Sequence, residues 1–331
     1  MRAVLVGALA GALLVPAVPA AADDGERVVT ITDDRIAESS GLAVSPDNPR
    51  LLYTLNDSDN APSVYAIDRR SGDVVGVTTL TGHTLADTEA IAVGTDGTMW
   101  VADIGDNSAS RDDVALYTLP EPGRGDATVT PDRYPLTYPS GPQDAETILV
   151  GPDSRPVMVV AKGLVGGRVY RLPGEPRTDR PNRLRPVRGA EVPGLVTDGS
   201  FTPDGSRVVL RTYDNAVAYD AETWKETWAT SLPRQQQGES LSVEADGRSL
   251  LIGSEGTPSP VLRVGLPAAP EAKTSGGDDS GTADEAVATD ESRLDLGIKV
   301  LGGLGALLTV LVVWIVIAAR RSHRRHQEGG G

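Results

Sequence analysis

Short apolar runs alternate along the chain with clusters of turn-forming residues, and the alternation has a long period. Five turn tetrapeptides share one design: SPDN at 45–48, GTDG at 94–97, GPDS at 151–154, TPDG at 202–205 and EADG at 244–247. Before each turn lies a run that reads as a strand, GLAV, AIAV, TILV, GSF or SLSV. After each lies a second, LLYTL, MWVA, VMVVA, VVLR or LLIG. Asp, Asn and Gly between two such runs supply the tight turn that closes a hairpin. A third run follows in every unit, SVYAI, ALYTL, RVYRL, AVAY and VLRVGL, and a fourth is legible in the first unit as VVGVTTL. The turn aspartates recur about 42 to 57 residues apart, a range in which self-similarity means a propeller or solenoid. Short antiparallel strands repeated in this way predict an all-β fold, a β-propeller.

The fifth unit ends after its third strand, near Leu266, whereas RVVTIT at 27–32 precedes the first unit without a hairpin partner. The N-terminal strand is expected to complete the last blade and so protect the edges of the ring. This predicts five blades. Six is the alternative if residues 120–142 or 173–193 hold a degenerate unit, although both stretches carry too many prolines for central strands.

The ends of the chain set the compartment. Residues 1–22 read as a secretory signal peptide, with Arg2, an apolar run and the small-residue site Ala20-Ala21-Ala22. Residues 296–319 read as a transmembrane helix. Their charge-free part, 300–319, covers roughly the 30 Å of a bilayer core at about 1.5 Å per residue. Arg320, Arg321, Arg324 and Arg325 in the tail at 320–331 mark the cytoplasmic side. The expected protein is a single-pass type I membrane protein. Its extracytoplasmic propeller at 23–267 is carried on a flexible acidic stalk at 268–295, too poor in bulky apolar residues to fold.

The chain has no cysteine, which excludes disulfides, thiol catalysis and Cys-ligated metals. Its formal charge is −15, so nucleic acid, which needs a basic footprint, is excluded as a partner. The acids are patterned. Counting back seven residues from each turn aspartate gives Ser40, Glu89, Glu146, Thr197 and Glu239, and two residues earlier stand Glu38, Asp87, Asp144, Leu195 and Gln237. All lie where the innermost strand of a blade begins. The next strand ends beside that start, with Asn56, Asp103, Lys162, Arg211 and the pair Ser254-Glu255 as its first polar residues. These groups should converge on one mouth of the central channel. A repeated loop carries the pairs Asp59-Asn60, Asp106-Asn107 and Asp214-Asn215, whose simplest role is to bond their own turns.

An apolar strand rarely carries an acid unless it is solvated, paired or bound to a cation. A hard cation with several oxygen ligands relieves the repulsion among such acids, and calcium suits it. Zinc does not, because His83 is the single histidine of the ectodomain. The candidate metal ligands are Glu38, Asp87, Glu89, Asp144, Glu146 and Glu239. The candidate binding groups are Asn56, Asp103, Asp106, Asn107, Lys162, Thr197, Asp198 and Arg211. No organic cofactor is expected.

The stretches DTEAIAV, VADIGDNSASR, LPEP, DAETILV, AKGL, LVTDGS, LRTYDNA and QGESLSV, spread over most of residues 35–265, resemble a group of secreted bacterial β-propellers. That group carries D-x-E-A-I-A, D-I-G-D-N, K-G, R-T-Y and G-E motifs in this order. More distantly, the chain is similar to calcium-binding phytase-like and lactonase-like propellers. That resemblance implies a metal in the central funnel, but this sequence lacks their histidine-bearing catalytic site.

Three functions are compatible with these residues. The favoured one is a membrane-anchored binding or scaffold module whose acidic funnel takes a cation, with an extracytoplasmic protein or small ligand as partner. The second is a calcium-dependent hydrolase of phosphoesters or lactones, in which Lys162 and Arg211 hold an anionic group and a carboxylate such as Glu89 activates water. The third is an interaction propeller whose funnel is only solvated lining.

Overall fold

The computed structural model describes residues 25–57 and 61–269, and within them the chain forms five antiparallel sheets arranged as the blades of a propeller. The inner strands are Ser39–Val44, Thr88–Val93, Ala145–Val150, Val196–Phe201 and Gly238–Val243, each the first strand of its hairpin. The second strands, Leu51–Asn56, Thr98–Asp103, Val157–Ala161, Arg207–Thr212 and Ser249–Ser254, pair back onto them. The turns between them work as their composition implies. Gly97, Gly205 and Gly247 take φ of 74°, 70° and 66°, the left-handed region in which a side chain is strained.

Glu26–Ile31 pairs antiparallel with Ser259–Gly265, so the N-terminal strand is the outer strand of the fifth blade and the ring closes as expected. Val29 and Ile31 are buried in that strand. The two proline-rich stretches hide no sixth blade. Residues Asp132–Thr137 are the fourth strand of blade 2, and Ala127–Val129 adds in parallel to the outer edge of blade 1. Asn182–Arg183 and Arg185–Pro186 extend blades 2 and 3 in the same peripheral manner. Proline is tolerated there because an outer edge needs few ladder donors.

The fourth strand of blade 4, Glu226–Ser231, carries no apolar run. It is half exposed along its length, so periodicity has little to act on. Apolar side chains gather in five clusters, one at each seam between neighbouring blades. The seam of blades 1 and 2 packs Tyr53, Met99, Val101 and Tyr117, and the seam of blades 5 and 1 packs Ile31, Leu52, Ile67 and Leu251. Both faces of every blade are therefore covered, which accounts for central strands that read as continuous apolar runs.

Among the described residues no helix is long and apolar enough to cross a membrane. The expected signal peptide, membrane span and basic tail lie outside the described residues, as do nearly all of the stalk and the pair Asp59-Asn60.

Candidate metal centre

Each inner strand pairs with its neighbour through a ladder broken at one place, and that place is the same in all five blades. The register skips Ser40 between Ser39 and Gly41, Glu89 between Thr88 and Ala90, Glu146 between Ala145 and Thr147, and Thr197 between Val196 and Asp198. In blade 5 Glu239 and Ser240 together face the single residue Gly253. These are β-bulges, which lift one residue out of the ladder and re-aim its side chain. The five residues equivalent by sequence spacing are thus the five bulged residues. Glu89, Glu146 and Glu239 are nonetheless buried, at 3 %, 6 % and 5 % exposure.

Three carboxylates converge at the start of blades 1 and 2. One oxygen each of Asp57, Asp87 and Glu89 lies within 4.8 Å of the others. Burial first, and then the neighbouring Asp57, push Asp87 up to about 7. Burial followed by the fields of Glu146, Asp57 and Asp87 pushes Glu89 well above the carboxylate range. The loop after the second strand of blade 2 holds this cluster from behind. Asp103 accepts from the Asp87 backbone N–H at 2.9 Å and from Arg111 Nη2 at 2.8 Å, and Arg111 Nη1 donates to the Gly105 carbonyl at 2.5 Å. Gly105 leaves room for both carboxylates. A Cβ there would stand 2.2 Å from Glu89 Oε1 and 2.6 Å from Asp87 Oδ2. Ser40 bridges to blade 1, its hydroxyl donating to the Glu89 carbonyl at 2.7 Å and facing Glu89 Oε2 at 3.2 Å.

The other half of the mouth contains its own cation. Lys162 Nζ donates to Glu146 Oε1 at 2.6 Å, lies 3.3 Å from the Tyr213 hydroxyl and sits 5.7 Å from the centre of the Tyr213 ring. Burial pulls Lys162 down, but Glu146, Tyr213 and Glu239 together outweigh it and hold the ammonium well above the ordinary lysine range. Glu239 accepts from Gln237 Nε2 at 3.0 Å. Glu255 is pushed up to about 9 by burial, then by Glu239 and Asp57.

The remaining expected residues are dispersed around these two groups. Asn56 is used structurally, accepting from the Glu38 backbone N–H at 3.1 Å and donating to the Arg35 carbonyl at 2.6 Å. Glu38 is half-buried just ahead of its strand. Asp144 accepts from the Asp106 N–H at 2.9 Å, Asp106 accepts from the Arg111 N–H at 2.7 Å, and Asn107 is exposed. Asp198 accepts from the N–H groups of Gly199 at 2.7 Å and of Leu241, in the next blade, at 2.6 Å. Arg211 is fully buried between blades 4 and 5. Its donors go to the carbonyls of Ser240 at 2.8 Å, Gly253 at 3.0 Å and Thr212 at 3.2 Å, and to Gln235 Oε1 at 2.9 Å.

Sequence spacing missed Asp57, Tyr213 and Arg111, and it placed Glu255 at the mouth among the first polar residues of the second strands. Asn56 and Ser254 end equivalent strands, opposite Ser39 and Gly238, so Asp57 and Glu255 are equivalent positions one residue beyond. By the same register Lys162 and Tyr213 follow the strand ends Ala161 and Thr212. The register error was to align Lys162 and Arg211 with Asn56 and Asp103. The signal available was the position after the strand, where a polar or acidic residue stands in four of the five blades.

The donors in the Asp57–Asp87–Glu89 cluster are all carboxylate oxygens. His83, the one histidine among the described residues, lies elsewhere, with Nε2 3.2 Å from the Pro131 carbonyl and its ring against Tyr117. Carboxylate oxygens that all lie within 4.8 Å of one another can face one hard cation, the ligand type that calcium takes. The residues fit calcium.

No protein-family model matches the chain, and no curated protein matches its sequence. Among solved structures it is similar to a gluconolactonase of Xanthomonas campestris, with a TM-score of 0.44 and 13% identity over 69% of this chain and 73% of that one. It is also similar to the hydrazine synthase of Kuenenia stuttgartiensis, with a TM-score of 0.37 and 14% identity over 65% of this chain. The chain spans 61% of that second structure's length.

Proposed function

We propose that the protein is a membrane-anchored extracytoplasmic binding module whose propeller holds calcium at one mouth of its channel through Asp57, Asp87 and Glu89. The observation that carries this reading is the convergence of three carboxylates, two half-buried and one buried, with one oxygen of each within 4.8 Å of the others. Such an arrangement is costly without a counter-charge, because burial and mutual repulsion both act against ionisation. A divalent ion would reverse both effects and supply the positive charge that orders this rim. Asp103, Arg111 and Gly105 would position the ligands, and the ordered rim would be what a partner meets.

Binding is favoured over hydrolysis by the fate of the basic groups. Lys162 is tied to Glu146 and Tyr213, and the donors of Arg211 are spent on backbone carbonyls, so neither is placed to hold an anionic substrate. The apolar span at 296–319, with arginines after it, supports the membrane anchor.

Calorimetric melting after chelation tests the reading. Calcium at a hundred times its dissociation constant should stabilise the protein by about 2.7 kcal/mol, as a ligand specific to the folded state must. An unchanged melt at millimolar calcium would overturn it.

A further inference from the structure

Charge is unevenly spread on this acidic chain. Eight arginines fall between residues 155 and 188 against two acids, Glu175 and Asp179, in a protein of net charge −15. All eight are exposed, and among the described residues only Arg177 is ion-paired, with Asp179 at 3.3 Å. The band follows the outer part of blade 3. Arg171, at the end of its third strand, is the direct cross-strand partner of Arg185. Val187 N–H donates to the Val169 carbonyl at 2.8 Å, which makes Arg188 and Arg168 the next residues of those two segments. Like charges placed opposite each other destabilise a sheet, so the fold itself gains nothing from the band.

The hairpin that opens this band carries the two large apolar side chains left exposed among the described residues. Leu164 is 70 % and Val165 98 % exposed, in the turn between Val157–Ala161 and Gly166–Arg171. That turn is braced. Leu195 N–H donates to the Gly163 carbonyl at 2.9 Å, and Gly166 and Gly167 pair with Pro193 and Val192. A Cβ on Gly194 would stand 2.6 Å from the Gly163 oxygen and 2.7 Å from the Leu164 oxygen, so the support packs directly on the backbone of the tip. Turn tips are ordinarily polar, and adjacent Leu and Val held outward at one mark a contact with something apolar. Two side chains are far too few for a protein interface, which takes about 800 Å² from each partner. They suit a lipid headgroup layer, into which apolar residues sink a short way while guanidinium groups beside them hold phosphates.

We infer that the Leu164–Val165 tip and the arginine band of blade 3 form a docking surface for an anionic phospholipid bilayer. The tip enters the headgroup layer, and Arg168 and Arg188, next along the chain from the braced turn and its support, meet the phosphates. A soluble polyanion would use the arginines alone and has no use for Leu164 and Val165, which is why the bilayer is the occupant that fits both features. The inference needs no metal at the mouth, so it stands or falls apart from the calcium reading.

The chain has no cysteine, so Val165→Cys gives the full-length protein one site for a polarity-sensitive fluorophore, and Asp47→Cys, in the exposed turn of blade 1, gives a control. Each labelled protein is reconstituted into vesicles of phosphatidylcholine alone or of equal parts phosphatidylcholine and phosphatidylglycerol. The proposed span at 296–319 enters either lipid, so a difference between them reports the tip. On the mixed vesicles the Val165 label should shift to the blue and be quenched by brominated acyl chains, and on phosphatidylcholine it should stay aqueous. The Asp47 label should stay aqueous on both. Arg168→Gln with Arg188→Gln should lower the inserted-to-aqueous ratio about thirtyfold, as each arginine near an anionic surface contributes about fivefold. Molar salt should do the same by screening. An aqueous Val165 label on the mixed vesicles would overturn the assignment, and if soluble polyphosphate then changed its emission the arginines would belong to a polyanion. Insertion into both lipids, or insertion indifferent to salt and to the paired substitution, would also overturn it, as would a buried label at Asp47.

Discussion

The two ends of the central channel are built by the same five strands and have opposite chemistry. At the strand starts the bulged residues Ser40, Glu89, Glu146, Thr197 and Glu239 make a polar ring. At the strand ends, near the hairpin turns, Val44, Val93, Val150, Phe201 and Val243 help line a cavity of about 270 Å³. The difference lies in the ladder. Toward the turns the residues are paired in register and most of their side chains belong to a seam between blades, which favours apolar types. At the bulge one residue per blade is released from pairing, and its side chain is free to be charged. A repeat can thus carry packing at one end of a strand and chemistry at the other without conflict.

Substitutions at the two ends should behave differently, and calcium is the means of telling them apart. The largest loss is expected from Phe201→Ala at the apolar end, roughly 3–5 kcal/mol for a buried aromatic, with the same loss whether or not calcium is present. Denaturant unfolding in both conditions checks it. A calcium-dependent loss would mean that the two ends are coupled.

Next in size is Glu146→Gln, which strands the Lys162 ammonium. The cost is on the order of 3 kcal/mol, since breaking a buried pair leaves an uncompensated charge. Glu89→Gln should do the reverse. It should abolish the calcium gain of about 2.7 kcal/mol and leave the calcium-free protein no less stable. Opposite signs for two residues at equivalent bulges would sharpen the division between the halves of the mouth, and equal signs would remove it.

The pH dependence has a definite sign. The folded values of Asp87, about 7, and Glu255, about 9, lie above those of unfolded carboxyls. The stability they contribute is therefore full below roughly pH 4 and is lost as the pH rises through 7 and then 9. Chelated protein should melt lower at pH 9 than at pH 5, and calcium should remove most of that difference. A melt that rises with pH in chelator would contradict the burial of these acids.

Gly105→Ala should act more gently, because the loop can shift while the blade stays intact. Displacing Glu89 and Asp87 should weaken calcium binding about tenfold or more, roughly 1.4 kcal/mol in a titration. The smallest effect is expected at Val165, which is 98 % exposed on the loop after Lys162. Val165→Ser should change stability by less than about 0.5 kcal/mol and calcium binding not at all.

The turn aspartates 47, 96, 153, 204 and 246, with apolar runs on either side, were enough to determine five hairpins, their order and the unpaired strand that closes the ring. Local chemistry suffices for this, because a turn residue and a period of two act within a few positions. The same ruler located the ring of Ser40, Glu89, Glu146, Thr197 and Glu239, since equivalent positions in a repeat occupy equivalent places. Outer strands such as Glu226–Ser231 were invisible, being half exposed and needing no apolar pattern. Folding decided which acids meet. The bulge is a property of two paired strands and has no residue type of its own, so spacing could not show that the ladder breaks at Glu89, or that Asp57 arrives beside it from another blade. The separation of Lys162 from Arg211 was decided there too. Two residues of register send the first to Glu146 in the mouth and bury the second against carbonyls between blades, because charge partners are set by distances across the ring and not along the chain.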